Sequence, residues 1–171
     1  HWRAPLSNEN GYYGGLVLFH DQPSVPAIVV ADQGMLALNR GDSNPGNYWY
    51  SDWDGHLTTP VVLNGGALCG GRSFWNYPYG TTYVDGGVTL TADSYLRIKQ
   101  DALEISSTIS ESGGSYGLIK DYCAGTARLS HANSYTGGTD VLVGRLEAAA
   151  AGCLGAGTVL VAGGAQLRST V

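Results

Sequence analysis

GLIKDYCAGTARLSHANSYTGGTDVLVGRLEAAAAGCLGAGTVLVAGGAQL, residues 117–167, decides the fold. Short apolar runs alternate with glycine-rich turns throughout it. Gly117-Leu118-Ile119-Lys120 leads to Gly125-Thr126-Ala127-Arg128-Leu129-Ser130. Ala132-Asn133-Ser134-Tyr135-Thr136-Gly137-Gly138-Thr139 follows, then Val141-Leu142-Val143-Gly144-Arg145-Leu146. A second half takes up the layout in Leu154-Gly155-Ala156-Gly157-Thr158-Val159 and Ala162-Gly163-Gly164-Ala165-Gln166-Leu167. A strand-and-turn unit of this size cannot bury its apolar face alone. Stacked on like units it forms a continuous core and pairs nearly every backbone amide.

Working outward, a shorter pattern links this stretch to the rest of the chain. Val30-Ala31-Asp32-Gln33-Gly34-Met35-Leu36 sets two apolar residues across a polar or glycine turn. Val62 to Leu68, Leu90 to Leu96 and Val161 to Leu167 do the same. Each reads as strand, turn, strand, with both apolar ends directed inward. Self-similarity of this kind predicts a solenoid. Its loose period fits loops of variable length leaving the coil on one side. Strand-like runs recur at Leu16–Phe19, Ala27–Val30, Met35–Leu38, Val61–Leu63, Val88–Leu90, Tyr95–Ile98, Ala102–Ile105, Ala127–Leu129, Val141–Val143, Val159–Val161 and Ala165–Leu167. Helix periodicity is almost absent. Glu104–Ser110 and Leu146–Ala151 are the only short helical windows, and both read better as strand edges or loops. The fold expected is all-β, a parallel β-helix over residues 25–171. Residues 1–24 read as an N-terminal arm or cap. Insertions at 39–60 and 69–83 decorate the N-terminal half.

The 117–167 stretch resembles the autotransporter-associated β-strand repeat, found in passenger regions of bacterial secreted and surface proteins. The resemblance covers roughly a third of the 171 residues. It rests on several separated elements that occur in order at the family's spacing. Tyr122-Cys123, His131 and Cys153 stand where that family usually has small residues or glycine, without disturbing the apolar pattern. The resemblance implies a right-handed β-helix outside the cytoplasm, on the bacterial cell surface or secreted.

Composition agrees with many tight turns. Glycine is 26 of 171 residues and only 13% are charged, against about a quarter charged in ordinary domains. A net charge of −5 and a pI near 5.1 give no electrostatic footprint for nucleic acid and no polybasic run for anionic lipid. No apolar run reaches membrane-helix length. The chain opens at His1, as a mature form or a cut fragment would. Its last residues, Leu167-Arg168-Ser169-Thr170-Val171, stop where another coil could begin, which favours a fragment. Cys69, Cys123 and Cys153 allow one disulfide plus a free thiol, or three buried thiols. No CxxC metal spacing is present.

The two insertions are the best site candidates. One carries Tyr48, Trp49, Tyr50, Asp52, Trp53 and Asp54; the other carries Trp75, Tyr77 and Tyr79. Together they hold three of the four tryptophans and four of the eleven tyrosines. Aromatic faces stack on sugar rings, and neighbouring carboxylates bond hydroxyls, so glycan contact fits. Covering one end or flank of the β-helix fits the same aromatics. Asp52, Asp54, Asp85 and Glu104 would serve glycoside cleavage only as a pair about 5–10 Å apart; as solvated loop acids they need no partner. His1 with a second histidine would bind copper, but no matching motif surrounds it. Asp42-Ser43-Asn44 and Asp52-Trp53-Asp54-Gly55 lack a full calcium ligand series and read as Asx turns. No P-loop, G-x-S-x-G or H-E-x-x-H is present.

These features predict a structural stalk or adhesive module with no cofactor, no metal and no catalytic residue assigned. Its expected partners are carbohydrate or extracellular matrix, and neighbouring copies through open β-helix ends. A polysaccharide-active enzyme, lyase or glycoside hydrolase, or an accessory fragment of one, is the first alternative. A self-assembling extracellular filament subunit is the second.

Overall fold

The computed structural model describes residues 15–18, 25–38, 55–70, 81–99 and 101–171. Among them are only strands, turns and bends, with no helix. In chain order they are β1 (Gly15–Leu18), β2 (Ile28–Val30), β3 (Met35–Leu38), β4 (Gly55–Leu57), β5 (Val61–Leu63), β6 (Ala67–Gly70), β7 (Thr81–Val84), β8 (Val88–Leu90) and β9 (Ser94–Ile98). Then come β10 (Ala102–Ile105), β11 (Ile109–Glu111), β12 (Leu118–Lys120), β13 (Thr126–Leu129), β14 (Thr139–Val141), β15 (Arg145–Ala148), β16 (Val159–Val161) and β17 (Gln166–Ser169).

Every strand pairs in parallel with the strand one coil away, giving three sheets. The seven-stranded sheet runs β1-β3-β6-β9-β12-β14-β16, the six-stranded sheet β4-β7-β10-β13-β15-β17, and the four-stranded sheet β2-β5-β8-β11. From β4 to β12 the chain visits the six-, four- and seven-stranded sheets in turn. Beyond β12 it alternates between the two longer sheets. This is the parallel β-helix that residues 117–167 predicted.

Alternation explains both faces of each strand. In β9, β12, β13 and β15 every second residue is buried and its neighbours are partly exposed, the period of a pleated strand. Inward residues stack in register from coil to coil. One column is Val30, Leu63, Leu90. Another is Leu36, Leu68, Leu96, Lys120, Val141, Val161. Each fully buried Leu or Val contributes about 2 kcal/mol of transfer free energy.

The shorter pattern seen in the sequence marks corners. Its instances at residues 30, 62 and 90 share the corner between the four- and seven-stranded sheets, whereas Val161–Leu167 turns the other corner, into the six-stranded sheet. Val62 points outward and Leu63 takes the inward position instead, so this turn is one residue shorter. Val161 and Leu167 do face inward, yet they are 44% and 37% exposed. No described coil stacks beyond β16 and β17. The expected strand at Val141–Val143 is displaced to Thr139–Val141, because Lys120 O already accepts from the amides of Leu142 and Val143 at the turn.

Where the four-stranded sheet stops, two side chains replace its strand. Tyr135 is buried in the core, and its hydroxyl is 2.5 Å from Thr139 Oγ1. Asn133 accepts from Ile109 N at 2.7 Å and donates to Cys153 O at 2.5 Å, so one amide stitches three coils. Ser130 lies one coil from Ser106 at the same corner, whereas Thr126 registers with Ala102 and Arg145.

Candidate functional site at one corner

The residues singled out for glycan contact, Tyr48, Trp49, Tyr50, Asp52, Trp53, Asp54, Trp75, Tyr77 and Tyr79, lie outside the described residues, as do residues 1–14 and 19–24 of the expected 1–24 arm, within which Gly15–Leu18 is strand β1. The points from which their segments are strung do not. Residues 39–54 follow Leu38 and precede Gly55; residues 71–80 follow Gly70 and precede Thr81. Leu38 is the register partner of Gly70, and Gly55 that of Thr82. Adjacent strands lie about 4.8 Å apart. Both segments therefore leave the seven-stranded sheet side by side and enter the six-stranded sheet side by side. The insertions are also narrower than the sequence suggested, since residues 55–57, 69–70 and 81–83 are strand.

On the departure side the outward face carries a polar and aromatic group. Cys69, Arg97 and Asp121 are register neighbours on successive coils. Arg97 donates to both Asp121 oxygens, Nε at 2.9 Å and a terminal nitrogen at 3.0 Å. Its guanidinium lies 4.8 Å over the Tyr95 ring. The hydrogen bond to Asp121 holds the Arg97 charge more firmly than usual, despite partial burial. Ala37, Ala67 and Cys69 form a small second apolar cluster on this face, and burial pushes the Cys69 thiol up to about 12.

Lys120 occupies an inward position in a leucine and valine column and is 1% exposed. Its Nζ reaches the corner and donates to Cys123 O at 2.6 Å, Val143 O at 3.1 Å and Asp121 O at 3.4 Å. Burial lowers its pKa. The lysine acts as a built-in cation that satisfies main-chain carbonyls of two coils. Tyr122, one residue beyond Asp121, has φ +67 and is 65% exposed.

On the return side, His56 stacks on Tyr83 with ring centroids 4.7 Å apart and planes 8° from parallel. His56 Nδ1 is 2.5 Å from Asp85 Oδ2, and the other Asp85 oxygen accepts from Ser106. The carboxylate, not the imidazole, takes the serine hydroxyl, which reverses a nucleophile–base arrangement. Below Tyr83 the outward column continues as Glu104, Arg128, Glu147, Arg168. Its ion pairs are 3.5 and 3.6 Å long. Arg128 Nε sits within ion-pair range of Glu104 but has no aligned acceptor, so this is an electrostatic ladder rather than a set of directed bonds. Such pairs contribute about 0–1 kcal/mol each.

Among the described residues, no three His, Cys, Asp or Glu side chains converge on a metal position. No described helix is long and apolar enough to cross a membrane. The three cysteines are free thiols. Cys69 and Cys123 both border Arg97, but Arg97 and its coil separate them. Two coil steps are about 9.6 Å, beyond disulfide reach.

Sequence reading missed Arg97, Asp121, Lys120 and Tyr122. The alternation in Leu118-Ile119-Lys120 does carry the signal for Lys120, because strand period places the lysine on the same side as Leu118.

No family model matches the chain, and no curated protein or solved structure matches it. The class of protein is set by the fold alone: an all-β parallel β-solenoid.

Proposed function

We propose that the chain is a β-helical segment of a secreted or surface-displayed bacterial protein, which binds carbohydrate through aromatic insertions whose stems adjoin at one corner. The observation that carries this reading is the pairing of stems, Leu38 with Gly70 and Gly55 with Thr82. The stems of two aromatic-rich segments, one coil apart in the chain, lie side by side on neighbouring strands. A rigid scaffold carrying variable loops is the usual way to assemble a recognition site. The resemblance of residues 117–167 to the autotransporter-associated repeat supports the extracellular setting.

A glycan array probed with the wild-type chain and with a Trp49→Ala, Trp53→Ala, Trp75→Ala triple variant tests the reading. Binding that the variant loses is the expected result. No binding by the wild-type chain sinks it.

End-to-end assembly is a second reading with its own observation. Every coil joins the next by parallel backbone pairing, and the same pairing would join one copy to another. Concentration-dependent polymers abolished by Val161→Lys would support it; a monodisperse monomer at high concentration would remove it.

A further inference from the structure

We infer that the outer face of the six-stranded sheet is a docking surface for a second copy of this chain, laid face to face with its coils running the opposite way. The inference is independent of the insertions and of carbohydrate. Three observations carry it.

The first is the order of charge. The outward register partners on β10, β13, β15 and β17 read Glu104, Arg128, Glu147, Arg168. A partner of one sign, such as an acidic polymer, would meet repulsion at every second coil. A partner that fits must itself alternate, and the same column on another copy does. A two-fold axis along the strand direction, passing between β13 and β15, sets Glu104 against Arg168 and Arg128 against Glu147. Each pair then occurs twice, in an isologous contact that closes at two copies. A two-fold along the coil axis would instead set Glu on Glu and Arg on Arg. The charges therefore select the antiparallel arrangement.

The second is unfilled bonding capacity. Within the chain, Glu104–Arg128 and Glu147–Arg168 are 3.5 and 3.6 Å apart. Among the described residues no ion pair joins Arg128 to Glu147, although they are register partners. Arg128 Nε is buried without an acceptor. The Arg128 and Arg168 side chains are 43% and 64% exposed, so their heads face outward with donors to offer. Facing sheets pack about 10 Å apart, a gap that an arginine from one side and a glutamate from the other fill together.

The third is what flanks the column. Arg145 is the remaining charge on these four strands, and the same two-fold sets it against Thr126. Ser130 falls opposite Ala149. No like charges meet, and small side chains let the faces approach. Four strands of four residues cover about 13 by 19 Å. That is well under the roughly 800 Å² per partner of stable complexes, so the pair is weak and governed by charge.

The test is analytical ultracentrifugation of the full chain at concentrations up to about 1 mM. A monomer–dimer equilibrium is expected at about 0.01 M salt and should vanish toward about 1 M, as the screening length falls from about 30 to about 3 Å. Nothing larger than a dimer should form. Arg128→Glu sets a carboxylate against Glu147 of the second copy, so the dissociation constant should rise about tenfold or more. Glu147→Arg should do the same by setting cation against cation. Mixed in equal amounts, the two variants are complementary across the two-fold and should pair again. The ladder within each chain cannot account for that recovery, because both variants break it. A monomer at every salt concentration would overturn the inference. Salt-independent association, or polymers, would assign the contact to coil ends and overturn it too. Folded variants that stay apart when mixed would exclude the two-fold. If circular dichroism shows either variant unfolded, Arg128→Gln and Glu147→Gln take their place, and a dimer of unchanged affinity in both would overturn the inference.

Discussion

Lys120→Met removes the only charge in an otherwise apolar column while keeping a side chain of similar length. The Cys123 and Val143 carbonyls then lose the ammonium that bonds them at 2.6 and 3.1 Å. A buried acceptor left without a partner costs about 1–3 kcal/mol, so the two together cost about 2–6. Against this, a methionine in contact with Leu96 and Val141 gains about 1–2 kcal/mol of apolar burial. Releasing the protein from desolvating a cation recovers a few kcal/mol at most. With the carbonyl loss near the top of its range, the balance is a destabilisation of up to about 2 kcal/mol. Urea unfolding at neutral pH, followed by circular dichroism, would read it as a lower midpoint at unchanged slope. A midpoint equal to or above wild type would refute the reasoning. It would mean that the carbonyls find water or each other and that the lysine is an ordinary burial cost.

Three more outcomes follow from the same geometry. Leu146→Ala and Leu167→Ala change register partners on adjacent coils, but only Leu146 is fully buried; thermal melts should show a loss of about 2–5 kcal/mol for the first and under about 1 for the second. Asn133→Ala should cost about 1–3 kcal/mol, and hydrogen exchange should rise first at Ile109, whose amide it frees. Cys69 titrates from 9.0 to about 12 on folding, so the folded state keeps a proton that the unfolded chain gives up. That stability is complete below pH 9 and is lost as pH rises toward 12, by up to about 4 kcal/mol. Cys69→Ala should flatten this alkaline loss in pH-dependent urea melts, leaving the smaller share from Tyr135, which burial also pushes to about 12.

The strands rich in Val, Leu and Ile were legible because every second residue is apolar and glycine marks their ends. Val88–Leu90 and Val159–Val161 came out with their observed bounds. Gly55–Leu57, Thr81–Val84 and Arg145–Ala148 did not. Each is three or four residues long, and half of each faces solvent as His, Thr, Tyr, Arg or Glu. Pairing with a neighbouring coil, not local propensity, makes them strands. The four-stranded sheet's end was also hidden, since nothing local in Asn133 or Tyr135 says that one stitches coils and the other fills a core. For the site, sequence supplied the chemistry of the insertions but not their relation. That relation depends on coil length: Gly65 meets Ser94 across 29 residues, Arg97 meets Asp121 across 24, and Arg145 meets Gln166 across 21. A period that shortens along the chain cannot be counted off from either end.

The most direct test of the central claim is a double-mutant cycle on oligosaccharide affinity between Trp49→Ala and Trp75→Ala. If both insertions rise from one corner to grip one ligand, the two losses will be coupled by about 0.5–3 kcal/mol. Strictly additive losses, or a loss confined to one tryptophan, would contradict a shared site.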